Sequence, residues 1–291
     1  MSVKIYPTTN WLETADFVNY LSKMIDVDKN IQLTSDYTKA DYFVVFNKPY
    51  NKQTEDIIDK SRTILFRMEP NMEINGHLWG EYWKTPPSQD FLRIHDYPKD
   101  MNMFEWHLNK TFDELKTPFG DDVKTKGDVL SFIVSGKYFD PGHISRINFF
   151  KRLQNEYPEV DTHVYGTNRF EFKNFKGPLT NHSKDDGLIP YKYTFNVENN
   201  SIPGFITEKL WDGIMSETLV FYSGCVSVKA YVNKDAFVYL EMDDEKHDME
   251  VIAKMIANNE WEKRIDIIRK EKHRLLNTYG ISARLSSIIN K

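Results

Sequence analysis

Short apolar runs of strand length recur along this chain, and they come in two successive rounds. Tyr42-Phe43-Val44-Val45-Phe46, Thr63-Ile64-Leu65-Phe66-Arg67-Met68, residues 129–134 and residues 219–222 are each too short for a buried helix. They do not alternate apolar with polar, so both faces of each strand need cover. Parallel sheets with helices on both sides supply that cover. Stretches of helical period lie between the runs. Trp11, Leu12, Ala15, Phe17, Val18 and Leu21 mark one helix to about Met24, and Ile144, Ile147, Phe150 and Leu153 mark another over 143–157. The class is therefore α/β with open sheets.

The first round begins with a strand over 3–6 and a helix capped by Asn10, with Glu13 three residues on. A weak strand follows at 31–33, then the apolar run at 42–46. Thr54 caps a short helix through Ile58, and the run at 63–68 stops at Glu69-Pro70. Short helices are expected at 100–108 and 111–115. Residues 117–128 hold one Pro, two Gly and five charges and read as a linker. The second round has strands at 129–134, 162–165, 192–197, 219–222 and 237–240, a helix from about 205 to 215, and helix from Met249 to the end. The expected domains are 1–120 and 129–291, each Rossmann-like, with a ligand cleft between them.

Composition excludes several classes. The 291 residues carry 43 acidic and 38 basic side chains, a net charge of −5, which argues against a nucleic-acid partner. One cysteine, Cys225, excludes a disulfide framework and a Cys-built zinc site, and fits a reducing compartment. The first residues run straight into a strand-like segment, so no signal peptide is expected. No run approaches the roughly 18 apolar residues of a membrane span. A soluble, cytoplasmic protein without a transmembrane segment is the expectation. Aromatics make up 14% of the chain, and their first use is core packing.

The most informative segment runs from Tyr191 to Gly224. A strand delivers Glu198 and Asn199 to its C-terminal end, Pro203-Gly204 turns the backbone, and a helix opens near Thr207-Glu208-Lys209. A helix start offers free N–H groups and positive potential, and Lys209 adds a cation, which suits a phosphate or diphosphate. Glu208 is an acceptor suited to ribose hydroxyls. Asn199 and Lys209 are ten residues apart, and Leu219-Val220-Phe221-Tyr222-Ser223-Gly224 follows as a strand ending in Gly.

This pattern resembles the signature of the α1,3/4-fucosyltransferases, glycosyltransferase family 10. Val134-Ser135 with Arg146-Ile147-Asn148-Phe149-Phe150, and Val164-Tyr165-Gly166-Thr167-Asn168-Arg169, resemble further units of that family. The similarity covers about residues 129–241. It implies a GT-B architecture, two Rossmann-like domains facing a central cleft, and an inverting, metal-independent transfer of L-fucose from GDP-fucose to a glycan hydroxyl. It implies that Arg169 and Lys209 neutralise the donor diphosphate, that Glu208 binds the ribose, and that Asn199 and Glu198 lie beside the sugar or diphosphate. Arg146 is a further phosphate candidate. Phe205 stands where the family has Tyr, so one polar donor contact is missing. The family's base is a Glu after an apolar strand of the N-terminal domain. Glu69 holds that place here, with Glu73 and Glu81 as neighbours. No cofactor or metal is implied. The absence of a membrane stem points to a bacterial enzyme, to a viral one working in host cytoplasm, or to a shortened piece of a longer chain.

Two other readings stay open: the same scaffold with UDP-xylose, GDP-mannose or another nucleotide sugar, and a non-catalytic glycan- or nucleotide-binding protein. Asp26-Val27-Asp28 has the Asp-x-Asp spacing of metal-dependent transferases but follows a helix, and reads as a solvated helix end.

Overall fold

The computed structural model describes residues 2–68, 72–74, 77–79, 83, 90–95, 104–119, 126–180 and 183–290. The first half contains β1 (Val3–Thr9), α1 (Thr14–Ser22), β2 (Ile31–Leu33), β3 (Tyr42–Phe46), α2 (Lys52–Ile57), β4 (Thr63–Phe66), β5 (Met72–Ile74), β6 (His77–Trp79), β7 (Arg93–His95) and α3 (Phe112–Lys116). Five strands form a parallel sheet in the order β2-β1-β3-β4-β7, and β5 pairs antiparallel with β6.

The apolar runs become strands, and the corrections lie at the caps. Helix α1 starts at Thr14 after Glu13, not after Asn10. Helix α2 is capped by Asn51, whose side chain accepts from the Thr54 amide, so Thr54 sits inside the helix and is buried. Of the short helix expected at 100–108, residues 100–103 lie outside the described residues and 104–108 are not helical. Phe104, Trp106 and Leu108 are buried while Glu105 and His107 between them are less so, a period of two that marks extended chain. Asp26 is buried and ion-paired to Lys116 at 3.3 Å, not a solvated helix end.

The second half contains β8 (Gly127–Val134), α4 (Pro141–Glu156), β9 (Thr162–Gly166), β10 (Phe175–Gly177), α5 (Asp185–Leu188), β11 (Tyr191–Val197), α6 (Glu208–Met215), β12 (Leu219–Ser223), α7 (Val228–Tyr231), β13 (Phe237–Tyr239), α8 (Glu245–Ala257), α9 (Glu260–Tyr279) and α10 (Ile281–Ile289). Its six parallel strands run in the order β10-β9-β8-β11-β12-β13. Counted within this half the order is third, second, first, fourth, fifth, sixth, that of a doubly wound Rossmann sheet. The helical C-terminal stretch divides into three helices, broken at Asn259, which has a positive φ of 52°, and at Gly280.

Aromatic side chains fill the core. Phe149 stacks on Phe195 at 5.1 Å, and Phe132 packs against Phe150 at 4.5 Å. Contacts also join the halves. Phe104 meets Trp211 of α6 at 5.0 Å, the Asp26 amide donates to Ser282 Oγ of α10 at 2.8 Å, and the Arg284 guanidinium lies over the Phe66 ring. No helix among the described residues is long and apolar enough to cross a membrane.

Glu217, buried in the turn after α6, ties this arrangement together. Its carboxylate takes the Phe119 amide at 2.9 Å, Lys272 Nζ at 2.9 Å and Arg269 Nε at 2.8 Å. Glu217→Ala strands the buried Lys272 ammonium, and removal of one partner from such a pair costs about 3–5 kcal/mol. Chemical denaturation should therefore show a loss of about 3 kcal/mol or more, whereas Lys39→Ala, which breaks an exposed pair with Asp36, should change stability by less than about 1 kcal/mol.

Candidate functional site

In a doubly wound sheet the strand order reverses once, and the loops on either side of that point feed helices on opposite faces. A crevice opens there at the carboxyl ends of the strands. Here the reversal lies between β8 and β11. A cavity of about 240 Å³ sits at that place, lined from β8 and its loop by Ile133, Ser135 and Lys137 and from β11 by Asn196, Val197 and Asn199. His143, Arg146, Lys184, Glu208 and Lys209 complete its polar wall.

The loop from β11 to α6 is built around one buried carboxylate. Glu198 accepts from the Thr207 amide at 2.8 Å and from Thr207 Oγ1 at 2.8 Å, and Tyr222 OH donates to it at 3.3 Å. Lys209 Nζ lies 3.2 Å from its other oxygen. A buried carboxylate demands such partners, since each unmet one leaves a desolvated charge. Gly204, with a positive φ of 81°, makes the turn that returns the chain to Glu198. Thr207 caps α6, its Oγ1 accepting from the Lys209 amide at 3.4 Å. Glu198 thus stands behind the cavity wall, and with Asn200 and Ser201 it lines a neighbouring groove that shares Val197 and Asn199 with the cavity.

Glu208 and Lys209 open α6 and face the cavity. Lys184 Nζ, just before α5, reaches Asp212 at 2.7 Å and Glu208 at 3.3 Å. Burial alone would raise the Glu208 pKa, but Lys209 and Lys184 outweigh it and hold the carboxyl well below its ordinary range. Burial alone would lower the Lys209 pKa, and Glu198 with Glu208 outweighs it and raises it. Both groups are therefore charged at neutral pH.

Arg146 comes from α4, with Nη1 donating to Asn199 Oδ1 at 2.7 Å and to the Val197 carbonyl at 3.4 Å. Its buried Nε has no hydrogen-bond partner among the described residues. The close approach of α4 to Asn199 requires Gly142, where a Cβ would lie 2.0 Å from the Asn199 carbonyl oxygen. His143 is buried in the same wall, and its Nδ1 lies 2.6 Å from Asp140 Oδ2.

The structure brings Lys209, Glu208, Asn199 and Arg146 together around one cavity, with Glu198 bracing them from behind. Arg169 is exposed and does not line the cavity. Its Nη1 donates to the Gly136 carbonyl at 2.6 Å, on the loop that carries Ser135 and Lys137. Phe205 is buried and does not line the cavity. Glu69 and Glu81 lie outside the described residues, as does the Glu73 side chain. Sequence reading missed Lys137, Lys184 and His143. Lys184 lies between two recognised strands in a stretch with no periodic signal, and only the fold brings it to Glu208.

Comparison with known proteins gives likeness of structure alone. No family model matches the chain, and no curated protein matches it. Among solved structures the chain is similar to an α1,3-fucosyltransferase at 18% identity, with 91% of this chain and 81% of that chain covered and a TM-score of 0.52. It is similar to TarM at 12% identity, with 94% and 57% covered and a TM-score of 0.53. It is similar to WaaG, a glycosyltransferase involved in lipopolysaccharide biosynthesis, at 12% identity, with 99% of both chains covered and a TM-score of 0.50.

Two consequences of this geometry are measurable. Gly142→Ala must push α4 off the Asn199 backbone; overpacking of this kind costs about 1–3 kcal/mol, and should appear as a lowered Tm. His143 gives a pH dependence. Burial first, then Arg146, pushes its imidazole down to about 4, with Asp140 opposing. The unfolded chain takes up that proton near pH 6.5. Between about pH 6.5 and 4 the folded state holds fewer protons, so this stability is present at neutral pH and lost on acidification. His143→Asn should make the fall in Tm from pH 7 to pH 4 shallower. The expected fold is the one found, two parallel sheets with a cavity at the second sheet's switch point, and these structures share that GT-B fold.

Proposed function

We propose that this chain is an inverting, metal-independent glycosyltransferase that takes L-fucose from GDP-fucose to a hydroxyl of a glycan acceptor in the cytoplasm. Residues 1–120 would hold the acceptor and residues 129–291 the donor. The observation that carries this reading is the lining of the switch-point cavity. Lys137, Arg146, Lys184 and Lys209 surround it, with Glu208 the only acid among its described lining residues.

The chemistry follows from those charges. As the bond from sugar C1 to the diphosphate oxygen breaks, negative charge grows on the leaving group. Cations already fixed by Glu198, Asp212 and Asn199 stabilise that charge without reorganising. Lys209 and Arg146 take the diphosphate, with Arg169 at the rim. Glu208 accepts the ribose hydroxyls. Attack of the acceptor hydroxyl on the opposite face of C1 inverts that carbon, and its proton passes to Glu69. The family's Tyr hydroxyl is absent at Phe205, and this departure favours the second reading, another nucleotide sugar on the same scaffold.

Calorimetric titration with GDP, GDP-fucose, UDP and UDP-xylose, each with and without EDTA, tests the reading. Binding of the two guanosine ligands alone, insensitive to EDTA, is expected. Lys209→Ala should weaken it at least about tenfold, since a charge-assisted contact contributes about 1.5–3 kcal/mol. Glu69→Gln should leave donor binding unchanged and lower turnover about 100-fold or more. A preference for uridine ligands would overturn the donor, and absence of nucleotide binding would overturn the transferase.

A further inference from the structure

The cavity wall holds a polar group, the His143 imidazole, that the donor reading leaves unused. We infer that His143 Nε2 accepts a hydrogen bond from a hydroxyl of the transferred sugar, and so distinguishes a nucleotide sugar from the free nucleotide. The inference rests on the nucleotide-sugar reading above.

The ring's tautomer follows from its neighbours. Asp140 Oδ2 lies 2.6 Å from Nδ1. At that distance an unprotonated Nδ1 would be repelled by the carboxylate, so Nδ1 carries the proton, although the contact is too bent for a hydrogen bond. Asp140 is itself fixed, since its other oxygen accepts the His143 amide at 2.8 Å and caps α4. The Phe139 ring packs edge-on against the imidazole at 4.9 Å. The ring is 1% exposed and lines the cavity, and no described residue bonds its Nε2.

Burial first, and then the surrounding charge, decide the protonation. Arg146 on the next turn of α4, Lys137 from the loop after β8 and Lys209 from α6 all disfavour a second proton, against Asp140 alone. Nε2 therefore presents a lone pair to a cavity whose other charged groups are mostly cations. A diphosphate at neutral pH has only acceptor oxygens and is repelled by that lone pair. The partner must donate, and the donors of a nucleotide sugar near its diphosphate are hydroxyls. Glu208 takes those of the ribose, which leaves those of the sugar being transferred.

Calorimetry on the full chain tests this with GDP and GDP-fucose, or with UDP and UDP-xylose if the parent prefers uridine. In His143→Asn the amide nitrogen can still face Asp140, but no atom stands at Nε2. In His143→Gln the amide oxygen can occupy that place. We expect His143→Asn to lose about tenfold in affinity for the nucleotide sugar while binding the free nucleotide within twofold of the parent, and His143→Gln to recover most of the loss. Equal affinities in His143→Asn and the parent would overturn the inference, as would an equal loss for both ligands. Should the variants fail to fold, the parent alone decides: one singly deoxygenated donor sugar should bind about tenfold more weakly than the intact donor, and if none does the inference is wrong. A parent that binds no nucleotide at all overturns the reading beneath it; a parent that binds nucleotide but gives the contrary results overturns only the role of His143.

Discussion

A carboxylate at the end of β11 cannot be buried unless something meets each of its oxygens, and the way Glu198 is met sets the shape of the whole site. Its partners are the amide and hydroxyl of Thr207, the Tyr222 hydroxyl and the Lys209 ammonium. Those contacts close the 198–207 loop, start α6 at a fixed residue and point Lys209 toward the cavity. Because the carboxylate is desolvated, the arrangement is stiff. Displacement of Thr207 takes its amide and hydroxyl from the carboxylate and leaves Lys209 and Tyr222 to meet the desolvated charge.

The same logic extends outward. Lys184 is drawn to the buried Asp212 and reaches Glu208 with the same ammonium. Arg146 is held by Asn199, whose backbone is in turn pressed against Gly142. Three of the cations around the cavity are therefore anchored before a ligand arrives, Lys209 by Glu198, Lys184 by Asp212 and Arg146 by Asn199. Positive charge fixed before a ligand arrives acts on developing negative charge without a reorganisation cost.

Much of the architecture was legible in the chain. Runs such as Tyr42–Phe46 and Leu219–Ser223 became strands because a short apolar segment without alternation fits little else. Helix starts were less legible. By residue type Asn10 is a better cap than Glu13, which makes no capping hydrogen bond, and Thr54 is a weaker one than Asn51, which does. Residues 104–108 illustrate the same limit. Their composition permits a helix, but burial of Phe104, Trp106 and Leu108 on one side selects extended chain.

By itself the sequence determined that two parallel sheets would form and that Glu198, Asn199, Glu208 and Lys209 would gather at one strand end, because local spacing along a strand, turn and helix is fixed by backbone geometry. Only the tertiary structure decided which distant residues would join them. Lys184 and His143 reach the cavity because the strand order places β8 beside β11 and brings α4 and α5 to the same opening. It also decided that Glu198 braces the wall while Arg169 stays outside the cavity lining, bonded to the Gly136 carbonyl. A residue's burial and partners depend on chain crossings far from it in sequence, and those are fixed by the packing of the whole core.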